Sequence, residues 1–294
     1  AKPTLGASTP TANTNAGFSL SGTSADTVGV ASVSVTQTKN GGSVVEITTN
    51  PPTTADGWAN WSLTNLPRNP ASIGSQATLD ATSNGVYEYV ITVTDLAGKT
   101  ETTTRTVRFD KTASSVTITG PGADGSIVSS SSFSFSGSAS DGSDSGVALV
   151  EYSLDAGSTW PDAVGTNSWS FNIADMAATF GAEGPKSFLV RATDNAGNTS
   201  TPQTRTFLFD TANPLVAVSG AATRDTMVAF SLAGTSSDSY GIDSIAITQS
   251  KDGGAAVAIA TNGPAGTTSW TLGATTSLPR DPDNIGNHLL ADGT

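Results

Sequence analysis

Cysteine is absent, so no disulfide closes a core and no thiolate is available as nucleophile or metal ligand. There is one histidine, His288. That excludes a histidine-rich metal site, and any Ser-His-Asp triad would have to pass through this single side chain. His288 itself reads as a loop residue. Charge is scarce at 13% of residues, and its balance is −12. Nucleic acid and anionic membrane both need basic patches, so neither is expected as a partner. No apolar run is long enough to span a bilayer, no signal peptide precedes the first strand pattern, and no Walker or dinucleotide glycine motif occurs. Asp141 and Asp144 lie in a Gly/Ser turn and not in an apolar cleft that would raise a pKa, so they do not read as a glycosidase pair. The chain is expected to be no enzyme.

What is present is repetition. Residues 18–50, FSLSGTSADTVGVASVSVTQTKNGGSVVEITTN, return at 230–262 as FSLAGTSSDSYGIDSIAITQSKDGGAAVAIATN, without a gap, at an offset of 212 and with 18 of 33 positions identical. A weaker copy, FSFSGSASDGSDSGVALVEYSLDAG, begins at Phe133. Fixed-spacing copies are the mark of tandem modules. Within each copy, short stretches apolar on alternate residues are broken by Gly, Asn, Asp and Ser turns, as in an all-β sandwich. Phe18 and Leu20 match Phe133 and Phe135, and Phe230 and Leu232. Val33 and Val35 match Val150 and Tyr152, and Ile245 and Ile247. A tryptophan strand follows at Trp61, Trp169 and Trp270. Late strands alternate Tyr89, Ile91, Val93 and Phe188, Val190, Ala192, and closing strands end in Phe109-Asp110 and Phe209-Asp210.

These endings predict three immunoglobulin-like sandwiches head to tail as an extended rod: 1–112, 113–212 and 213–294. The third lacks equivalents of the last two strands, and the opening residues already read as a first strand, so the sequence reads as an excerpt of a longer chain. The connections at 110–113 and 210–214 are a few residues long, which limits hinging. The first and third copies share a proline-flanked insertion, 66–74 and 278–286, carrying Arg68 and Arg280. It reads as a link between sheets or a binding loop. The second has 174–180 in its place, compatible with one helical turn. Trp58 and Trp160 have no counterpart in every copy and are candidate carbohydrate contacts, whereas the recurring tryptophans read as core.

Two signatures recur where strands meet, Thr94-Asp-Leu-Ala-Gly98 and Thr193-Asp-Asn-Ala-Gly-Asn198, each followed by Phe-Asp 15 or 16 residues on. Here the chain resembles the bacterial Ig-like repeats of giant surface adhesins, along essentially its whole length. The second copy fits best, through Val150-Glu-Tyr-Ser-Leu-Asp155-Ala-Gly-Ser-Thr-Trp160. The first departs with Leu96 and Lys99 where the second has Asn195 and Asn198. The resemblance implies calcium between modules. Independently, in a sandwich the loops after the second strand and before the last strand share a pole with the incoming connection. That gathers Asp110, Asp141, Asp144, Asp194, Asn195 and Asn198 at the first junction, and Asp210, Asp238 and Asp243 at the second. Asp26 and Asp95 would await a preceding connection. Calcium takes six to eight oxygen ligands, which such sets could largely supply. Turn preference alone also accounts for Asp, Asn and Gly in these loops.

The expectation for function is a spacer in a secreted or cell-surface bacterial adhesin or fibre, each module adding roughly 35 Å at ten strand residues. Absence of cysteine suits a long exported bacterial chain. Its partners would be neighbouring modules of the same chain. Two readings stand beside it: a self-assembling filament, sheath or surface layer, prompted by the threonine-rich, sparsely charged stretch 100–106, and an accessory glycan-binding region of an extracellular polysaccharide-active enzyme. A host or surface ligand also fits the adhesin reading.

Overall fold

The computed structural model describes residues 1–47, 57–142, 144–220, 231–250, 254–258 and 268–272; of Ile73 only the backbone is described. Arg280, His288, Phe230 and the segment 278–286 lie outside these residues. Ala1–Phe209 forms one compact unit and Asp210–Thr294 another.

The first unit holds two sandwiches with separate cores. In the first sandwich β1 (Thr4–Ala7), β2 (Asn13–Thr14), β3 (Phe18–Ala25), β4 (Val30–Lys39), β5 (Val45–Glu46), β6 (Asn60–Leu66), β7 (Arg68–Asn69), β8 (Ser72–Gln76), β9 (Gly85–Asp95) and β10 (Thr100–Phe109) form a β1-β3-β6 sheet facing a β2-β10-β9-β4-β5 sheet, with β7 and β8 as a small ribbon. The second sandwich repeats the plan. Its strands are β11 (Ser115–Gly120), β12 (Ser126–Val128), β13 (Phe133–Ser140), β14 (Val147–Ser153), β15 (Ser168–Ile173), β16 (Gly184–Asp194) and β17 (Gln203–Phe209), in sheets β11-β13-β15 and β12-β17-β16-β14. The opening segment of each sandwich divides between the sheets. β1 and β11 run antiparallel to β3 and β13, and β2 and β12 then cross over to run parallel to the closing strands β10 and β17.

Strand period explains which residues are inside. Along β9, Tyr87, Tyr89, Ile91 and Val93 are buried while Glu88 is exposed; along β16, Phe188, Val190 and Ala192 are buried. Phe135 lies at the centre of the second core, its ring stacked on Phe171 at 4.9 Å and edge-on to Phe188 at 4.7 Å. The segment read as one helical turn is α1 (Met176–Phe180), capped by Asp175, whose carboxylate accepts the Ala178 N–H.

One cross-strand pair recurs in every copy. Gly22 faces Trp61, Gly137 faces Trp169 and Gly234 faces Trp270. The indole lies over the glycine, and a methyl group there would overlap both the ring and a carbonyl of the next strand, Gly6 O, Thr117 O or Ala217 O. All three indole N–H groups are buried without a hydrogen-bond partner among the described residues, so the ring is retained for its volume.

The proline-flanked insertion of the first sandwich is part of the interior. Arg68 is 1% exposed. Its N–H donates to Gln37 Oε1 at 2.9 Å, its carbonyl accepts from Gln37 Nε2 at 3.0 Å, and Nη2 reaches Thr64 O at 3.1 Å. The buried Gln37 amide thus acts as a strand partner for the Arg68 backbone, which corrects the binding-loop reading of this arginine. Leu66–Pro67 and Gly120–Pro121 are cis.

The second unit contains the sheet β18-β19-β22, with β18 (Leu215–Val218), β19 (Leu232–Ser237), β20 (Thr248–Gln249), β21 (Val257–Ala258) and β22 (Ser269–Leu272), and a β20-β21 ribbon. Ile245 and Ile247, expected in a strand, precede β20 without a ladder. Their counterparts in β4 and β14 pair with β9 and β16, and no such partner is present among the described residues of this unit. Leu215, Val216 and Val218 are exposed.

Gly137→Ala is expected to destabilise the second sandwich by about 1–3 kcal/mol through overpacking against Trp169, read from denaturant midpoints at constant slope. The first sandwich should also weaken in alkali. Burial pushes the Tyr87 hydroxyl up to about 12, and burial together with Tyr87 pushes Tyr89 up as well. A raised folded pKa favours the protonated folded state, so this stability is intact below the ordinary tyrosine value of about 10 and is lost as pH climbs toward 12. Chemical denaturation at pH 8 to 12 should show that slope, shallower in Tyr87→Phe.

Candidate metal centre

Three strand ends meet at the pole of the second sandwich that faces the first. Asp110 follows β10, Asp141 follows β13 and Asp194 closes β16. One carboxylate oxygen from each lies within 4.8 Å of the other two, and all three residues are buried, Asp110 completely. Among the described residues they form the only such group of three metal-capable side chains.

Each carboxylate is held by the local chain. Asp194 begins a tight turn in which Oδ1 accepts the N–H groups of Ala196 at 2.9 Å and Asn198 at 2.8 Å, and Gly197 takes a φ of 91°. Asp95 makes the same turn in the first sandwich, with the N–H groups of Ala97 and Lys99 at 2.8 Å and Gly98 at a φ of 79°. The recurring Thr-Asp-x-Ala-Gly signature is therefore first a turn device, and at Asp194 it leaves Oδ2 for the cluster. Asp141 Oδ2 accepts the Gly146 N–H at 2.7 Å and the Ser145 hydroxyl at 3.3 Å, while Oδ1 accepts the buried Ser114 hydroxyl at 3.3 Å. Asp110 Oδ1 accepts the Thr112 N–H at 2.9 Å, and Oδ2 accepts the Ser145 N–H at 3.0 Å.

No lysine or arginine pairs with any of the three among the described residues. Two bare carboxylates at this spacing repel by about 3 kcal/mol at an effective dielectric near 20. Burial, and then the charges of Asp110 and Asp194, hold the Asp141 carboxyl above its ordinary range, opposed by the Gly146 N–H and the Ser145 hydroxyl. Buried, hydrogen-bonded carboxylates without a counter-charge, and with no nitrogen or sulfur ligand among them, suit a hard divalent cation such as Ca2+.

The remaining predicted residues fall into distinct places. Asp144 stands beside the cluster, its Oδ2 at 3.2 Å from Asn84 Nδ2. Asn195 directs its Nδ2 to the carbonyls of Ser145 and Gly146, both at 2.9 Å, and so ties the two loops together. Asn198 turns Nδ2 toward Asp194 Oδ2 at 2.8 Å and Asp110 O at 3.0 Å, which puts a donor toward the acids. In the first sandwich Asp26 caps the Val28 N–H, and the buried Asp95 turn, beside which Leu96 is exposed, is bonded to the same loop through Leu96 N–H and Gly29 O at 3.0 Å. Asp210, Asp238 and Asp243 do not come together as a group of three; Asp238 caps the Tyr240 N–H, and Asp210 meets the Ala212 N–H at 3.3 Å.

Asn15 and Asn84, both from the first sandwich, belong to this junction and were missed. They have no counterpart in the second sandwich, where Ser130 and Glu183 stand at the corresponding turns, so comparing repeats could not reveal them. The signal available was topological: the loops at the facing pole of the preceding module.

Trp160, a candidate glycan contact, is accounted for by its own sandwich. Its Nε1 donates to Gly157 O at 3.0 Å, and the Arg191 guanidinium, itself paired with Glu151 at 2.9 Å, lies 4.1 Å from the ring. The loop beneath is set by Asp155, which gathers the Thr159 N–H, the Thr159 hydroxyl and the Ser153 hydroxyl and is held down at about 2 by those bonds.

A family model described as a bacterial Ig-like domain matches residues 5–111 and 124–211. No curated protein matches the chain. Among solved structures, the fibronectin(III)-like modules of Clostridium thermocellum CbhA are 16% identical, covering 70% of this chain and 94% of that one at a TM-score of 0.36. A structure of a 1.5-MDa bacterial ice-binding adhesin is 18% identical, covering 92% and 85% at 0.38. A Ca2+-stabilised adhesin of an Antarctic bacterium is 17% identical, covering 97% and 71% at 0.34.

Proposed function

The chain belongs to the bacterial Ig-like domain family, and from that premise we propose that it is a non-enzymatic spacer of a secreted or cell-surface bacterial protein of the adhesin or fibre kind, built of modules 1–112, 113–212 and 213–294 and stiffened by calcium at its joints. The observation that carries this reading is the position of Asp110. A residue of the connection between two sandwiches is fully buried, bonded through its side chain to the second sandwich and through its N–H to Thr14 of the first. A connection built to bend would keep such a residue in water.

Asp110, Asp141 and Asp194 would hold the ion, with Asp144 the nearest further carboxylate. The cation would supply positive charge where three buried acids face one another. Neutralising that repulsion binds the connection and two loops of the second sandwich into one body. The work of such a region lies in holding a distant binding segment at a set reach, in keeping with tandem copies of one fold, the absence of cysteine and a net charge of −12.

Calorimetric calcium titration of the full chain, with small-angle scattering before and after chelation, tests this. Binding should raise the thermal midpoint, by the equivalent of about 2.7 kcal/mol at a hundredfold excess over Kd, and should narrow the range of particle lengths. Asp194→Ala and Asp110→Ala should abolish the heat of binding at this joint. Scattering curves that are the same with calcium and with chelator would count against the calcium-stiffened form of the proposal.

A further inference from the structure

Besides the cluster of three acids, the junction of the two sandwiches contains a second set of contacts, centred on two asparagine side chains of the first sandwich. We propose that Asn15 and Asn84 are positioning residues that latch the second sandwich to the first without a metal. The inference rests on the spacer reading, though not on the cation.

The argument starts from strand order. In the first sandwich the closing strand β10 lies between β2 and β9. Asn15 follows β2, Asn84 precedes β9, and Asp110 follows β10, so the two asparagines lie on either side of the strand that leaves for the next sandwich. On one side Asn84 Oδ1 accepts the Lys111 N–H at 2.8 Å. Its Nδ2 reaches Asp110 Oδ1 at 3.0 Å and Thr112 Oγ1 at 2.7 Å on the connection, and Asp144 Oδ2 at 3.2 Å in the second sandwich. On the other side Asn15 Nδ2 donates to Asn198 Oδ1 at 3.1 Å, and the Asn15 carbonyl accepts from Lys111 Nζ at 3.2 Å. Asn198 in turn donates to Asp110 O.

A single contact beside a connecting strand leaves rotation about that contact. Contacts on both sides of it remove the rotation, and this is what the pair supplies. Asparagine suits the task because its amide carries a donor and an acceptor at one end. Asn84 uses both at once, accepting from the backbone of the connection while donating to an acid of each element it joins. These bonds are part-buried or exposed, so each contributes modestly, and the pair acts through geometry as much as through strength.

The absence of native cysteine allows a direct test on the full chain. Thr104→Cys and Thr204→Cys, both at exposed strand positions of the two sandwiches, carry spin labels, and the distance distribution is measured by pulsed dipolar spectroscopy in chelator. The parent chain should give a narrow distribution. Asn15→Ala with Asn84→Ala should broaden it, with a roughly five- to tenfold rise in the undocked population, while the thermal midpoints of both sandwiches stay within error. Asn84→Asp, which sets a third carboxylate beside Asp110 and Asp144, should broaden it at neutral pH. An unchanged distribution in both variants, or a parent already broad in chelator, overturns the latch. Repetition with calcium separates the two ideas. A broad distribution that calcium narrows upholds the cation and overturns the latch; a narrow one indifferent to calcium, broadened only by the variants, upholds the latch and removes the cation's role.

Discussion

The junction is organised by the burial of one carboxylate in the connection between two sandwiches. Asp110 has no contact with water, so the protein must supply what water would have given it. Thr112 and Ser145 offer backbone N–H groups, Asn84 offers an amide, and the Asp110 N–H is taken by Thr14. Those partners come from the connection itself and from both sandwiches. Solvating one acid therefore fixes Ser145 of the second sandwich, the pole of the first sandwich and the exit of β10 together. The proximity of Asp141 and Asp194 follows from the same arrangement, because β13 and β16 end at the pole where the connection enters.

The cores on either side use a different currency, volume. With no disulfide available, each sandwich closes on aromatic rings, and each seats its inner tryptophan on a glycine of the neighbouring strand. The glycine brings the backbone close and the indole fills what it leaves. The same solution at Gly22, Gly137 and Gly234 shows it to be a property of the module, whereas the buried Gln37–Arg68 arrangement belongs to the first sandwich alone among the described residues.

Much of this was legible in the chain, and the boundary of what was legible has a physical cause. Alternation placed Tyr89, Ile91 and Val93 and the tryptophan strands correctly, because a two-residue period leaves no choice about which face is buried. The helical turn was legible in residues 174–180, which stand where the other copies carry the insertion, and the convergence of Asp110, Asp141 and Asp194 followed from knowing which loops share a pole. The glycine beneath each tryptophan was also present in the aligned copies, always four residues after the phenylalanine, but its meaning lies across a strand pair and not along the chain. Between sheet link and binding loop Arg68 stayed undecided, because an arginine between prolines looks exposed until its backbone is seen to be paired by a buried glutamine. Asn15 and Asn84 stayed hidden because what joins two copies need not recur within each copy.

The crossover of the opening segment has one more consequence. In both sandwiches the second strand of the opening segment, β2 or β12, lies parallel to the strand that leaves, β10 or β17. When the two ends of such a sandwich are drawn apart, the neighbours slide past each other lengthwise. Their hydrogen bonds are then loaded side by side and must yield together, whereas an antiparallel pair pulled from one end would open one bond at a time. At this pair each sandwich thus resists a pull along the chain in shear, through the strand that leaves and the strand that follows β1 or β11.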